Sequence, residues 1–179
     1  MNLYLACGLT HVPRTDFDAY VSFIEDLAAA LSVGSIKDVR YALKDSDPQL
    51  AERPRNEQAH LCYIWDRALI EWADLVVADA TYPSIGLGIE LQIAAAREIP
   101  VVLSFQRTER HRAAEVRYRA PDGSSHELQI GEGYVSLMAL GLPSLCSVVP
   151  YETADEGLSR VPIAVQDVVT ARNMRVMDE

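Results

Sequence analysis

The sequence predicts an α/β fold: a five-stranded parallel sheet with helices on both faces, plus one inserted β-hairpin. Three observations carry this. Short apolar runs such as Leu75-Val-Val-Ala78 lack the alternation of a half-exposed strand and suit strands covered on both sides. They alternate with longer segments whose apolar residues recur at helical spacing, the pattern of strand–helix–strand units. A glycine-bearing turn, Pro83-Ser-Ile-Gly-Leu-Gly88, separates one strand from the next helix, at the strand ends where such sheets hold ligands.

Leu3 to Cys7 reads as the first strand, ending at Gly8. The first helix is predicted over Phe17 to Leu31, where Phe17, Tyr20, Val21, Phe23, Ile24, Leu27, Ala28 and Leu31 recur at helical spacing. Asp38 to Leu43 reads as a second strand. Lys44 to Arg55 is polar, holds Pro48 and Pro54, and is predicted as a loop long enough to cover a site. A second helix follows over about Asn56 to Trp72, then a third strand over Leu75 to Ala80. The third helix starts near Gly86 and ends before Ile99-Pro100, and Val101 to Phe105 forms a fourth strand. The alternation then breaks. Strands Glu115–Ala120 and His126–Ile130 form a hairpin around Pro121-Asp-Gly123, and a short helix covers Gly133 to Leu140. A fifth strand at Cys146–Tyr151 precedes a C-terminal helix, Val161 to Met177, with a frayed Asp178-Glu179 end. The 179 residues read as one domain, 1–179, with an insert at about 107–132.

Composition narrows the function classes. Apolar residues make up 49% and charged residues 23%, a globular balance. A net charge of −10 argues against nucleic acid as a partner, which calls for a basic face. No apolar run approaches the ~20 residues that span a membrane, and Leu3-Tyr-Leu-Ala-Cys7 is too short for a secretory leader. Cys7, Cys62 and Cys146 have no metal spacing and are odd in number, which points to reduced thiols and a cytoplasmic location. The four histidines are scattered, so no metal is expected, and no organic cofactor either.

The candidate site lies in Ala73-Asp-Leu-Val-Val-Ala-Asp-Ala-Thr-Tyr-Pro-Ser-Ile-Gly-Leu-Gly-Ile-Glu90. Gly86 and Gly88 allow close approach to the backbone. A helix start beside them offers free N–H groups and a positive dipole end to an anion. Glu90, read as lying in the first turn, is expected to be held ionised by that field, as a nucleophile requires. The same residues also fit an ordinary strand–turn–helix joint.

This segment resembles the nucleoside 2-deoxyribosyltransferase superfamily, with its "AD-hydrophobic-VA…G-x-x-x-E…A" signature. The spelling Pro83-Ser84-x-Gly86-x-Gly88-x-Glu90 looks most like the 2'-deoxynucleoside 5'-monophosphate N-glycosidases, with the cytidylate N-glycosidases close by. The resemblance implies a flavodoxin/Rossmann-like enzyme with Glu90 as nucleophile. Asp66, in Trp65-Asp-Arg-Ala-Leu-Ile-Glu-Trp-Ala-Asp74, would assist the leaving base, and Tyr4 would orient Glu90. Ser84 stands where the transferases carry an acid that grips a free 5'-hydroxyl; a hydroxyl there suits a phosphate, which a carboxylate would repel. The hydrolases follow their first strand with Gly-Ser-x-Arg. This chain departs from that with Gly8-Leu-Thr-His-Val-Pro-Arg14, in which Thr10, His11 and Arg14 would supply the donors beside Gly8. Ser136-Leu-Met138 resembles the Ser-x-Met segment that these hydrolases send into a neighbouring subunit's phosphate pocket, implying a homodimer.

The implied reaction is hydrolysis of a nucleoside 5'-monophosphate, a small-molecule substrate, to base and sugar 5-phosphate. Two other classes remain open on the residues: a deoxyribosyltransferase that passes the same intermediate to another base, and a non-catalytic nucleotide sensor. Asp74 is expected to fix the entrance of the third strand. Asp79, near that strand's end, is left outside the reacting set. Arg107, Arg110, Arg112, Arg117 and Arg119 in the insert either meet a larger anionic substrate or, the preferred reading, pair with nearby acids.

Overall fold

The structure is a computed structural model, which describes residues 1–177; the expected frayed end, Asp178-Glu179, lies outside them. Strand β1 (Asn2–Cys7) leads to α1 (Arg14–Leu31) and β2 (Asp38–Tyr41). Two short helices, α2 (Ala42–Asp45) and α3 (Asp47–Ala51), precede α4 (Arg55–Trp72). Then come β3 (Leu75–Asp79), α5 (Ile85–Ala96) and β4 (Val101–Gln106). The insert carries a short 3₁₀ turn at Glu109–His111 and a hairpin of β5 (Arg117–Arg119) and β6 (Ser125–Glu127). A single-turn α6 (Leu137–Leu140), β7 (Leu145–Tyr151) and α7 (Ala154–Met177) complete the order. The five long-range strands form one parallel sheet, β2-β1-β3-β4-β7, the flavodoxin order, so the predicted α/β fold is borne out.

Both faces of the sheet are covered, and alternate strand residues serve different layers. Leu3, Leu5, Leu75 and Val77 pack with α1 and α7. Tyr4, Ala6, Val76 and Ala78 pack with α4 and α5. That division explains why the strands read as unbroken apolar runs. It also aims Tyr4 at the helices on which Asp66 and Glu90 lie.

The structure corrects several boundaries. The segment predicted as a covering loop, Lys44 to Arg55, is mostly helical: Pro48 sits in the first turn of α3, where its missing N–H has no intrahelical partner to lose. Pro54 occupies the N-cap of α4. Helix α7 begins seven residues before the predicted Val161 and runs through Pro162. Its start is fixed by Thr153, whose Oγ1 accepts the Glu156 N–H at 3.2 Å, the spacing of a capping box. The helix predicted from Gly133 shrinks to Leu137–Leu140 because Gly131 and Gly133 adopt positive φ and cannot continue a helix.

Asp74 does tie the strand entrances together: its carboxylate accepts the Asn2 N–H at 2.8 Å. Asp79 is a different case. It is fully buried, and its carboxylate accepts hydrogen bonds from the hydroxyls of Tyr20, Ser104 and Tyr151, each at 2.9 Å, and from the Thr81 N–H at 3.2 Å. These donors come from α1, β4, β7 and the loop after β3, so one carboxylate joins four parts of the fold. Burial is the chief cause holding the Tyr20 and Tyr151 phenols protonated far above their usual range, with the Asp79 charge adding to it, and so keeps them donors. Asp79→Ala would leave those donors facing an apolar interior. Denaturant unfolding should show a loss of about 4 kcal/mol; a loss below ~1 kcal/mol would mean the four bonds carry little.

Candidate functional site

The two carboxylates singled out by the sequence meet at the carboxyl ends of β1 and β3, beside the point where the strand order reverses. They share a cavity of about 300 Å³ whose walls come from the loop after β1, from α2–α3, and from the facing sides of α4 and α5. Glu90, Asp66, Ser84, Gly86 and Thr10 all line it. Tyr4 lies beneath, fully buried, and donates from its hydroxyl to Glu90 Oε1 at 2.6 Å. It therefore touches Glu90 and not the cavity space.

Ser84 is the N-cap of α5, its Oγ accepting the Leu87 N–H at 3.1 Å. The helix thus begins at Ile85, earlier than predicted, and Glu90 falls in the second turn. At that depth the terminal field has faded. Burial instead pushes Glu90 up to about 8; the Tyr4 hydrogen bond pulls the other way, and the Asp66 charge adds to the rise. The expectation that the helix start holds Glu90 ionised does not hold: burial pushes the carboxyl group the other way.

Gly8 is buried against the loop that follows β3. A Cβ there would lie 2.6 Å from Ser84 Cβ and 3.1 Å from the Tyr82 carbonyl oxygen, so a glycine lets the two loops meet. Gly88 is exposed with open space around it, and it does not line the cavity. His11 and Arg14 are exposed and also stand off the cavity: the chain turns at Leu9–Val12, with the Val12 N–H on the Leu9 carbonyl at 3.2 Å, before α1 starts at Arg14. Ser136 caps the single-turn α6, is exposed, and does not line its own chain's cavity.

Four of the five insert arginines meet carboxylates: Arg107 with Glu132 at 2.6 Å, Arg117 with Glu127 at 3.0 Å, Arg112 with Glu109 at 4.0 Å, and Arg110 with Asp16. None of the five lines the cavity. The preferred reading, pairing with acids, describes four of the five; the acids include Asp16 of α1, which spacing alone would not reveal.

The sequence reading missed the residues that α2 and α3 bring to the wall: Ala42, Ser46, Asp47 and Leu50. It also missed Cys62 and Tyr63 of α4. Cys62 was within reach of inspection, since it precedes Asp66 by four residues and shares its helix face. Among the described residues, no group of three or more histidines, cysteines and acids is arranged to hold a metal ion, and no helix is long and apolar enough to cross a membrane.

Comparison of the whole chain with solved structures finds this architecture elsewhere. A CMP N-glycosidase of Clostridium botulinum, BcmB, aligns over 91% of this chain and 98% of its own, with 17% identity and a TM-score of 0.54. This chain shares that enzyme's fold. A conserved protein from Enterococcus faecalis V583 aligns over 90% and 96%, with 17% identity and a TM-score of 0.52. A 2-deoxyribosyltransferase from Bacillus psychrosaccharolyticus aligns over 59% and 72%, with 19% identity and a TM-score of 0.43, too distant to build on. No family model matches the sequence, and no curated protein matches it. The fold implied by the sequence resemblance is therefore borne out.

The raised Glu90 has a thermodynamic consequence. Between its ordinary value and about 8, an unfolded chain releases this proton while the folded chain retains it. Its contribution to stability is complete below the lower value and declines as pH rises to the upper one. Glu90→Gln, which has no proton to lose, should gain on the wild type across that window by on the order of 1 kcal/mol per pH unit. Chemical denaturation at several pH values measures this; a difference independent of pH would contradict it.

Proposed function

We propose that this chain is an N-glycosidase that hydrolyses the N-glycosidic bond of a nucleoside or deoxynucleoside 5'-monophosphate. The observation that carries the reading is the convergence of Glu90, backed by Tyr4 at 2.6 Å, and Asp66 on one cavity. A cleavage of this kind uses two carboxyl groups on one bond. Ionised Glu90 attacks C1', the bond to the base breaks with its electron pair leaving on the base nitrogen, and Asp66 assists that departure. Water then cleaves the glycosyl ester, returning Glu90 and releasing sugar 5-phosphate. Because burial raises Glu90 to about 8, the reactive fraction of the free protein grows with pH toward that value.

The fold shared with a CMP N-glycosidase supports a hydrolase acting on nucleotides. Ser84, Thr10 and the start of α5 supply hydroxyl and N–H donors to a phosphate. The cationic residue on the wall is Arg67, held by Glu71 at 2.8 Å, so phosphate recognition within one chain rests on neutral donors. That places weight on a partner. Ser136 and Met138, the latter 83% exposed, do not line their own cavity and suit a homodimer in which Ser136 reaches the neighbouring site.

Chromatography of each common ribo- and deoxyribonucleoside, with and without a 5'-phosphate, gives the primary test. Free base should appear from at least one monophosphate with the wild type, and at least about a thousandfold more slowly with Glu90→Gln. Base release unchanged in that variant would remove Glu90 from the reaction; none from any monophosphate would sink the hydrolase. Adding a second free base separates hydrolysis from transfer, since transfer alone builds a new nucleoside. The dimer has its own test. Mixed Glu90→Gln and Ser136→Ala chains should recover activity that neither has alone, by forming one intact composite site; no recovery on subunit exchange would argue against a shared site.

A further inference from the structure

Two donors that the mechanism above leaves unused meet the second carboxylate. The Ser46 hydroxyl donates to Asp66 Oδ1 at 2.8 Å, and the Cys62 thiol donates to Asp66 Oδ2 at 3.3 Å. They come from different elements. Cys62 lies one turn before Asp66 on α4, so the helix itself sets that contact. Ser46 lies twenty residues upstream at the joint between α2 and α3, and is only 4% exposed. Its backbone is already committed to the joint: the Ser46 N–H bonds the Ala42 carbonyl at 3.1 Å, and its carbonyl accepts the Leu50 N–H at 3.0 Å. The Ala42 carbonyl stands 3.4 Å from the hydroxyl, so its single proton favours the shorter contact with Asp66.

We propose that Ser46 and Cys62 are positioning residues for Asp66. One donor on each oxygen fixes the plane of the carboxylate against α4. Through Ser46, that orientation depends on α2 and α3 being seated over the cavity, where they contribute Ala42, Asp47 and Leu50 to the wall. The inference rests on reading Glu90 and Asp66 as the pair that works on the substrate.

The test uses the full chain with Ser46→Ala, Ser46→Thr, Cys62→Ala and Asp66→Asn, reading two quantities. The first is kcat and KM for base release. Ser46→Ala should lower kcat roughly tenfold or more while KM moves little. Ser46→Thr, which restores a hydroxyl, should recover most of the loss, and Cys62→Ala should cost less, since a thiol is the weaker donor. Full kcat in Ser46→Ala, equal impairment in both Ser46 variants, or an effect confined to KM would overturn the proposal. The second quantity is the rate at which iodoacetamide alkylates Cys62, resolved by peptide mass spectrometry. Burial and the Asp66 charge push this thiol up to about 11. Asp66→Asn should therefore speed its alkylation several-fold at about pH 9; an unchanged rate would overturn the contact. This second arm is independent of turnover. If no nucleotide is cleaved by the wild type, the functional reading fails on its own, and a faster Cys62 in Asp66→Asn still supports the two-donor clamp.

Discussion

The hydrogen bond from Tyr4 to Glu90 joins the buried sheet to the cavity wall, and the geometry of the site follows from it. Tyr4 is on a central strand with no exposure, so its hydroxyl has no solvent to turn to and one acceptor to find. That acceptor is on α5, whose position is set by the Ser84 cap and by Leu87 and Leu91 packing on the sheet. A side chain of about the same size without the hydroxyl would fill the same space. It would leave Glu90 with burial and a neighbouring negative charge, and nothing on the other side of the balance.

Two carboxyl groups near the end of β3 illustrate opposite ways of keeping an acid inside a protein. Asp79 takes three hydroxyl donors and one N–H, and its surroundings are complete. It has structural work and no capacity left for a ligand. Glu90 has one donor, faces a cavity with its other side, and is pushed up to about 8 by burial. An incompletely satisfied, desolvated carboxyl group in a cleft is where chemistry is expected. Asp66 lies between these cases, with one donor on each oxygen and a place on the same wall.

The sheet was readable because its inner strands are largely apolar and helices separate them; no residue-level contact was needed for that inference. Glu90 was readable because it closes a seven-residue run, Ser84 to Glu90, that holds two glycines; the role given to Ser84 came from the resemblance. Asp66 and Tyr4 came from the resemblance, and the structure sets Asp66 and Glu90 on one cavity with Tyr4 beneath it. Three features were out of reach. Asp79 draws its donors from residues 20, 81, 104 and 151, which only the tertiary fold assembles. Ser46 meets Asp66 because a polar, proline-bearing segment forms two short helices over the cavity. The state of Glu90 depended on its depth in α5: with Ser84 as cap and Ile85 first, Glu90 lies beyond the first turn and burial is in control.

Whether Glu90 is a desolvated carboxyl group restrained by Tyr4 is decided by an NMR titration of its side-chain carboxyl carbon in isotope-labelled protein. A midpoint of about 8 is expected in the wild type and a higher one in Tyr4→Phe, where the opposing hydrogen bond is gone. A wild-type midpoint in the ordinary carboxylate range, unmoved by Tyr4→Phe, would contradict it.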